Sequence, residues 1–187
     1  MSATPAPTSA PRVDRVDRVL RGLGWGGALV LWLLPFLAAR LTPEMNWSPM
    51  DHIAWGVMLL VGAVLFETSL RLSRSFAYRL ACWTGLGAGF LLVWANLAVG
   101  IIGSEEAAIN SLFFAVLVVP LVGAFLVDFR AGGLAWVMAA TAAAQIAVAV
   151  PPLLAREPDV VFTLPWLAAW LISAALFRKA ARASRSA

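Results

Sequence analysis

The sequence predicts an all-α fold, a polytopic transmembrane helix bundle of about six helices with both termini in the cytoplasm. Three observations predict it. Of the 187 residues, 61% are hydrophobic and only 13% charged, against about half and a quarter in an ordinary soluble domain. The apolar residues gather into six runs, each near the roughly 20 residues that cross a 30 Å hydrocarbon core. The 14 lysines and arginines are concentrated in alternate connections between those runs.

Residues 1–22 precede the first span. Residues 1–11, rich in Ala, Pro, Ser and Thr, are expected to be disordered. Arg12, Arg15, Arg18 and Arg21 then recur at helical spacing with Asp14 and Asp17 between them, which reads as a short amphipathic turn at anionic headgroups. The transmembrane domain covers 23–178, with spans at about 24–41, 53–72, 76–103, 111–127, 134–154 and 160–177. Each is expected to be helical, because a backbone amide left unpaired in lipid costs several kcal/mol. Residues 179–187 form a basic tail. A cleaved signal peptide is the competing reading of the first run, with Ala38 and Ala39 near its end. The long arginine-bearing segment before it and its full spanning length argue against cleavage.

Loop charges orient the bundle. One side receives Arg12, Arg15, Arg18, Arg21, Arg71, Arg74, Arg79, Arg130, Arg178, Lys179, Arg182 and Arg185, and the other only Arg40 and Arg156. Twelve against two, biased the same way at every connection, places the termini and the 2–3 and 4–5 loops in the cytoplasm. The expected location is the bacterial inner membrane, multi-pass, with the lipid bilayer as the principal partner. The net charge of +4 is divided among short loops and forms no contiguous footprint, so no nucleic-acid partner is expected. A single cysteine, Cys82, and a single histidine, His52, leave no internal disulfide and no site that needs two of either. No metal or cofactor is expected, and no catalytic acid–base pair is visible.

Polar residues within the spans are the candidates for function. Asn96 shares a row with Gly85, Gly89, Gly100 and Gly103 on the third helix. The row reads either as a close-packed seam locked by one amide or as the wall of a polar cavity. Glu67 lies inside the second span, where an ionisable group is a functional candidate by default; Arg71, four residues on, offers an ion pair in the favourable order. Glu44, Asp51, Glu105, Glu106, Glu157 and Asp159 collect on the non-cytoplasmic side, either as a cation-attracting rim or as helix caps. In the capping reading Ser104 caps the fourth helix and Asp51 the second. Pro35, Pro120 and Pro165 fall within the first, fourth and sixth runs and predict kinks, and Pro151-Pro152 does so near the end of the fifth. Ala139, Ala143 and Ala147 form a smooth face on the fifth helix, with Gln145 as its polar neighbour, and read as a packing surface.

With these residues in view, the chain resembles a family of small bacterial inner-membrane proteins. The resemblance rests on Asn46-Trp47-Ser48-Pro49-Met50-Asp51, on Glu67 with Arg71, and above all on the segment from Trp94 through Asn96 and Gly100 to Gly103-Ser104-Glu105, with Asn110 and Gln145 at further polar positions. It covers about 41–182. The family's Gly-Ser-Glu is usually followed by an Asp-Asn-Pro-type turn, replaced here by Glu106-Ala107-Ala108-Ile109. The resemblance implies a membrane fold and brings no activity with it.

Three functional classes follow. One is binding or passage of a small solute or ion at an outward-facing site of Asn96, Gly100, Ser104, Glu105 and Asn110, with Glu67 as a separate intramembrane ionisable candidate. Another is a non-catalytic partner in a larger membrane complex or a homo-oligomer. The least supported is an enzyme acting on a lipid or quinone.

Overall fold

The computed structural model describes residues 11–42, 47–103 and 107–185. Among these residues the fold is all-helical: α1 Pro11–Leu41, α2 Pro49–Leu72, α3 Phe76–Ala98, α4 Ala108–Leu126, α5 Ala131–Leu154, a 3-10 segment Pro158–Thr163, and α6 Leu164–Ala183. Six stretches are long and apolar enough to cross a membrane, as the sequence predicts, and the protein is a multi-pass membrane protein. The disorder expected of residues 1–10, and the rim expected at Glu44 and Glu106, lie outside the described residues.

Two compact units divide the chain, Met1–Leu70 and Arg71–Ala187. The first is an antiparallel hairpin of α1 and α2. Phe66 lies against Gly24, the Trp55 indole N–H donates to the Leu31 carbonyl at 2.9 Å, Trp32 lies against Gly56, and Phe36 stacks near His52. Each pair steps down one helix and up the other. The amphipathic turn expected before the first span is not a separate element, since α1 runs unbroken for 31 residues. Asp14 and Asp17 precede Arg18 and Arg21 by four positions, the spacing that supports a helix.

The second span opens on a reciprocal cap. The Asp51 amide donates to Ser48 Oγ at 3.2 Å, and the Ser48 amide donates to Asp51 Oδ2 at 2.7 Å. Pro49 occupies the first helical position, where a missing N–H costs nothing. Ser48, rather than Asp51 alone, is the capping residue, and such a cap is worth about 1 kcal/mol.

In the second unit α6 packs between α3 and α5, and α4 lies on α5. All three pairings are antiparallel. Tyr78 meets Phe177, and Ser173 Oγ donates to the Ala81 carbonyl at 2.8 Å between α3 and α6. Trp170 meets Gln145 between α6 and α5, and Val137 meets Gly123 between α5 and α4. The core runs through Ala81, Leu92, Phe113, Ala142 and Trp170, each nearly inaccessible.

Four expectations are corrected here. The third helix stops at Ala98 and not at 103: Gly100 takes φ +74° and Gly103 φ +66°, a left-handed exit that favours glycine. Gly100 and Gly103 therefore leave the row they would share with Asn96. The α4 N-cap is Ala107, which makes no side-chain cap bond, and Ser104 lies outside the described residues. Pro165 falls in the first turn of α6, where its missing N–H breaks no helix bond and no kink follows, because the sixth run begins as 3-10 turns; Pro35 and Pro120 do lie inside their helices. Of the alanine face of α5, Ala139 packs against the core while Ala143 and Ala147 are exposed, and the helix packs through Leu134, Ala135, Met138, Thr141 and Gln145.

Both α4 and α5 end in a doubly bonded left-handed turn without glycine. The Phe129 amide donates to the Ala124 carbonyl and the Asp128 amide to that of Phe125; the Glu157 amide donates to Pro152 and the Arg156 amide to Leu153. Asp128 and Arg156 hold φ of 50° and 62°, and each pair of bonds satisfies helix-end carbonyls that would otherwise be orphaned.

Candidate functional site

The end of α3, the 99–103 exit and the start of α4 form one hydrogen-bonded corner. Asn110, in the first turn of α4, is 3% exposed. Its Oδ1 accepts from the Ile101 and Ile102 amides, both at 3.0 Å, and its Nδ2 donates to the Ile102 carbonyl at 3.2 Å. One side-chain amide thus closes the exit as a peptide strand would, and Ile101 and Ile102 are buried beneath it. From the 3-10 segment, Asp159 Oδ2 accepts from the Gly103 amide at 3.1 Å. Asn110, expected in an outward-facing polar site, lies at this corner with its polar atoms bonded to the backbone. Asp159, expected on an acidic rim, is likewise tied to the fold, as Asp51 is at the α2 cap.

Asn96 differs. It is 6% exposed, its Nδ2 donates to the Leu92 carbonyl one turn back at 2.9 Å, and among the described residues its Oδ1 has no hydrogen-bond partner. A buried amide oxygen in this state costs about 1–3 kcal/mol unless something meets it. Asn96 continues the buried row of Ala81, Ala88 and Leu92 on α3. The register that pairs Ala81 with Ser173 and Ala88 with Trp166 carries Asn96 to the level of the 3-10 segment. Of the five predicted positions, the structure brings Gly100 and Asn110 into one corner and sets Asn96 just before it. Ser104 and Glu105 lie outside the described residues.

Glu67 belongs to the first unit. Arg21 Nε lies 3.2 Å from its Oε1, and the side chains are 42% and 12% exposed. The arginine comes from α1, a whole helix away in sequence, a partner to which the sequence did not point. Higher in the hairpin, Trp32, Phe36, Trp47, His52 and Gly56 line an open apolar groove of about 750 Å³. His52 Nδ1 lies 2.9 Å from the Ser48 carbonyl, which makes Nδ1 the donor and fixes the tautomer.

The predicted small-residue seam lies elsewhere than on α3. A methyl at Gly85 or Gly89 would meet only side-chain atoms at ordinary distances, Ser173 Oγ at 3.4 Å and Leu117 Cδ2 at 3.5 Å. On the α4–α5 contact the distances fall to 2.7 Å at Gly123 and 2.5 Å at Gly133. Sequence reasoning also missed a buried bridge. Gln145 Nε2 donates to the Thr163 carbonyl at 2.9 Å, and its Oε1 accepts from the Trp170 indole at 2.6 Å. A glutamine inside an apolar run was the visible signal; its partners, on α6 and the 3-10 segment, were not.

No family model matches the chain, and neither does any curated protein or solved structure.

Proposed function

We propose that this is a multi-pass protein of the bacterial inner membrane that binds or passes a small solute or ion beside the end of α3, with Asn96 as the contacting residue. The observation that carries this reading is the buried Asn96 Oδ1, which lacks a partner among the described residues, beside a corner where Asn110 and Asp159 are bonded to backbone. An unpartnered buried acceptor calls for an explanation, and a ligand offering an N–H, an O–H or a cation supplies one. Asn110, Gly100 and Asp159 act as scaffold, holding the exit in shape beside the contact. The membrane assignment rests on the twelve-to-two division of basic residues, which orients chains with short loops. Reporter fusions after Arg74 and Ala107 are expected on opposite sides, the first cytoplasmic; the same side for both would refute the topology.

Asn96→Leu tests the contact. Leucine removes the orphaned oxygen at similar volume, so the purified variant is expected to unfold in detergent at the wild-type temperature or slightly above it. Mass spectrometry of protein released from native membranes should find a small polar molecule or ion on the wild type and none on the variant. An equal load on both, or none on the wild type, would overturn the reading.

A second reading, a non-catalytic partner in a membrane assembly, is favoured by α1. A Cβ added at Gly22, Gly26 or Gly27 meets no atom within 4 Å. Each glycine costs a helix interior about 1 kcal/mol relative to alanine, and Gly22 and Gly26 have the spacing through which transmembrane helices approach one another. Cross-linking through a cysteine placed at Gly26 separates the two readings.

A further inference from the structure

At the arginine-bearing end of α5 and α6 lies a small cleft unconnected with the Asn96 corner. Gly132, Ala135 and Ala181 form its floor, Trp136 one wall, and Arg178, Arg182 and Arg185 its rim, around a cavity of about 130 Å³. Arg178 and Arg182 stand four residues apart on α6, so one helical face presents both, and Arg185 follows in the turn just past the helix end. All are exposed, and among the described residues no carboxylate side chain lines the cleft. Arg178 Cζ sits 5.9 Å from the Trp136 ring centroid, a cation–π contact that holds one guanidinium over the opening. Trp136 is itself 73% exposed.

Three features together describe the ligand. The rim is cationic and its planar guanidinium groups match phosphate oxygens in pairs. The floor belongs to the first turns of α5, whose N-cap Arg130 makes no side-chain cap bond, so amide donors and the positive end of the helix dipole lie beside the cleft. The cavity is several times the roughly 30 Å³ share of one water, enough for a phosphodiester and too small for an acyl chain. The dipole at the α6 C-terminus accounts for Arg182, but that effect fades within the last turn and leaves Arg178 unexplained. An exposed tryptophan where two apolar spans end marks headgroup depth, which is where a lipid would deliver its phosphate.

We propose that this cleft binds the phosphodiester of an anionic phospholipid. Arg178 and Arg182 clamp its oxygens, Arg185 closes the rim, and Trp136 holds the glycerol end at the interface.

Native mass spectrometry of the full chain in detergent, with phosphatidylglycerol, phosphatidylcholine or inorganic phosphate added, tests the assignment. One phosphatidylglycerol per chain is expected to bind well above phosphatidylcholine. Each Arg→Gln at 178, 182 or 185 should weaken it about five-fold, and the triple variant about a hundredfold. The substitutions lie on an exposed face, so circular dichroism is expected to match the wild type. Arg15→Gln with Arg18→Gln, which removes two charges on α1, should leave binding within two-fold of about its wild-type strength. Equal binding of both lipids would overturn the proposal, and so would the same loss from the α1 pair, which would reduce the effect to diffuse attraction. Displacement of the lipid by millimolar inorganic phosphate, with phosphate binding alone at the same rim, would assign the cleft to a free anion and overturn it too.

Discussion

Asn110→Leu is expected to lower the stability of the purified protein by about 3 kcal/mol, read as an earlier transition in detergent-based unfolding. Leucine fills similar volume, so the loss does not come from a cavity. It comes from the Ile101 and Ile102 amides, which both donate to Asn110 Oδ1 and would be left without an acceptor beneath buried side chains. Each orphaned amide costs about 1–3 kcal/mol. The variant also releases the Ile102 carbonyl from Nδ2, so the exit from α3 loses the bonds that give it shape. Asn96 and Asn110 therefore make opposed predictions from the same type of substitution. Leucine at 96 removes an unmet acceptor and leave the fold intact, whereas leucine at 110 removes a met one and strands its donors. A loss below about 1 kcal/mol at Asn110 would mean that the exit is held by something other than this amide.

Gly133→Ala is expected to destabilise by about 2–3 kcal/mol, while Gly132→Ala, one residue away, is neutral or stabilising by up to about 1 kcal/mol. A methyl at Gly133 would stand 2.5 Å from Val127 Cβ and 2.9 Å from both its γ carbons. No rotamer moves a Cβ, so the relief must come from a shift of α4 against α5. That shift is resisted by the short turn between the helices, whose Phe129 carbonyl also accepts the Tyr78 hydroxyl at 2.8 Å. At Gly132 the nearest atom is Ala181 Cβ at 3.9 Å, and the added methyl gains helix propensity without a clash. Thermal unfolding of the two variants side by side checks the pair. Equal effects would show that the α4–α5 contact is looser than these distances.

What the sequence determined by itself is the set of spans. Whether a run of some 20 residues crosses a membrane depends on its own length and polarity, both local properties, so each of the six runs holds a spanning helix, although the third helix stops short of its run and the sixth run opens as 3-10 turns. The reciprocal cap at the start of α2 was half legible, since Ser48-Pro49-Met50-Asp51 has the spacing of a capping box although the sequence reading chose Asp51 as the cap. Asn96 and Asn110 stood out as polar residues among apolar ones. Their different states did not, because one amide meets backbone on another segment and the other leaves its oxygen unmet.

The tertiary structure decided which faces touch. In a soluble helix, polar residues mark the outside and apolar ones the core, and the period of that contrast can be read. A transmembrane helix is apolar toward lipid and toward its neighbours alike, so the contrast is lost. That is why Ala143 and Ala147 of α5 looked like a packing surface and are exposed, and why α3 looked like the glycine seam when Gly123 and Gly133 form it. It is also why Arg21 could not be matched to Glu67, nor Gln145 to Trp170, before the helices were placed side by side. The spans follow from what each segment prefers as solvent. The contacts between them follow from shape and hydrogen-bond matching across segments far apart in the chain, which hydropathy does not encode.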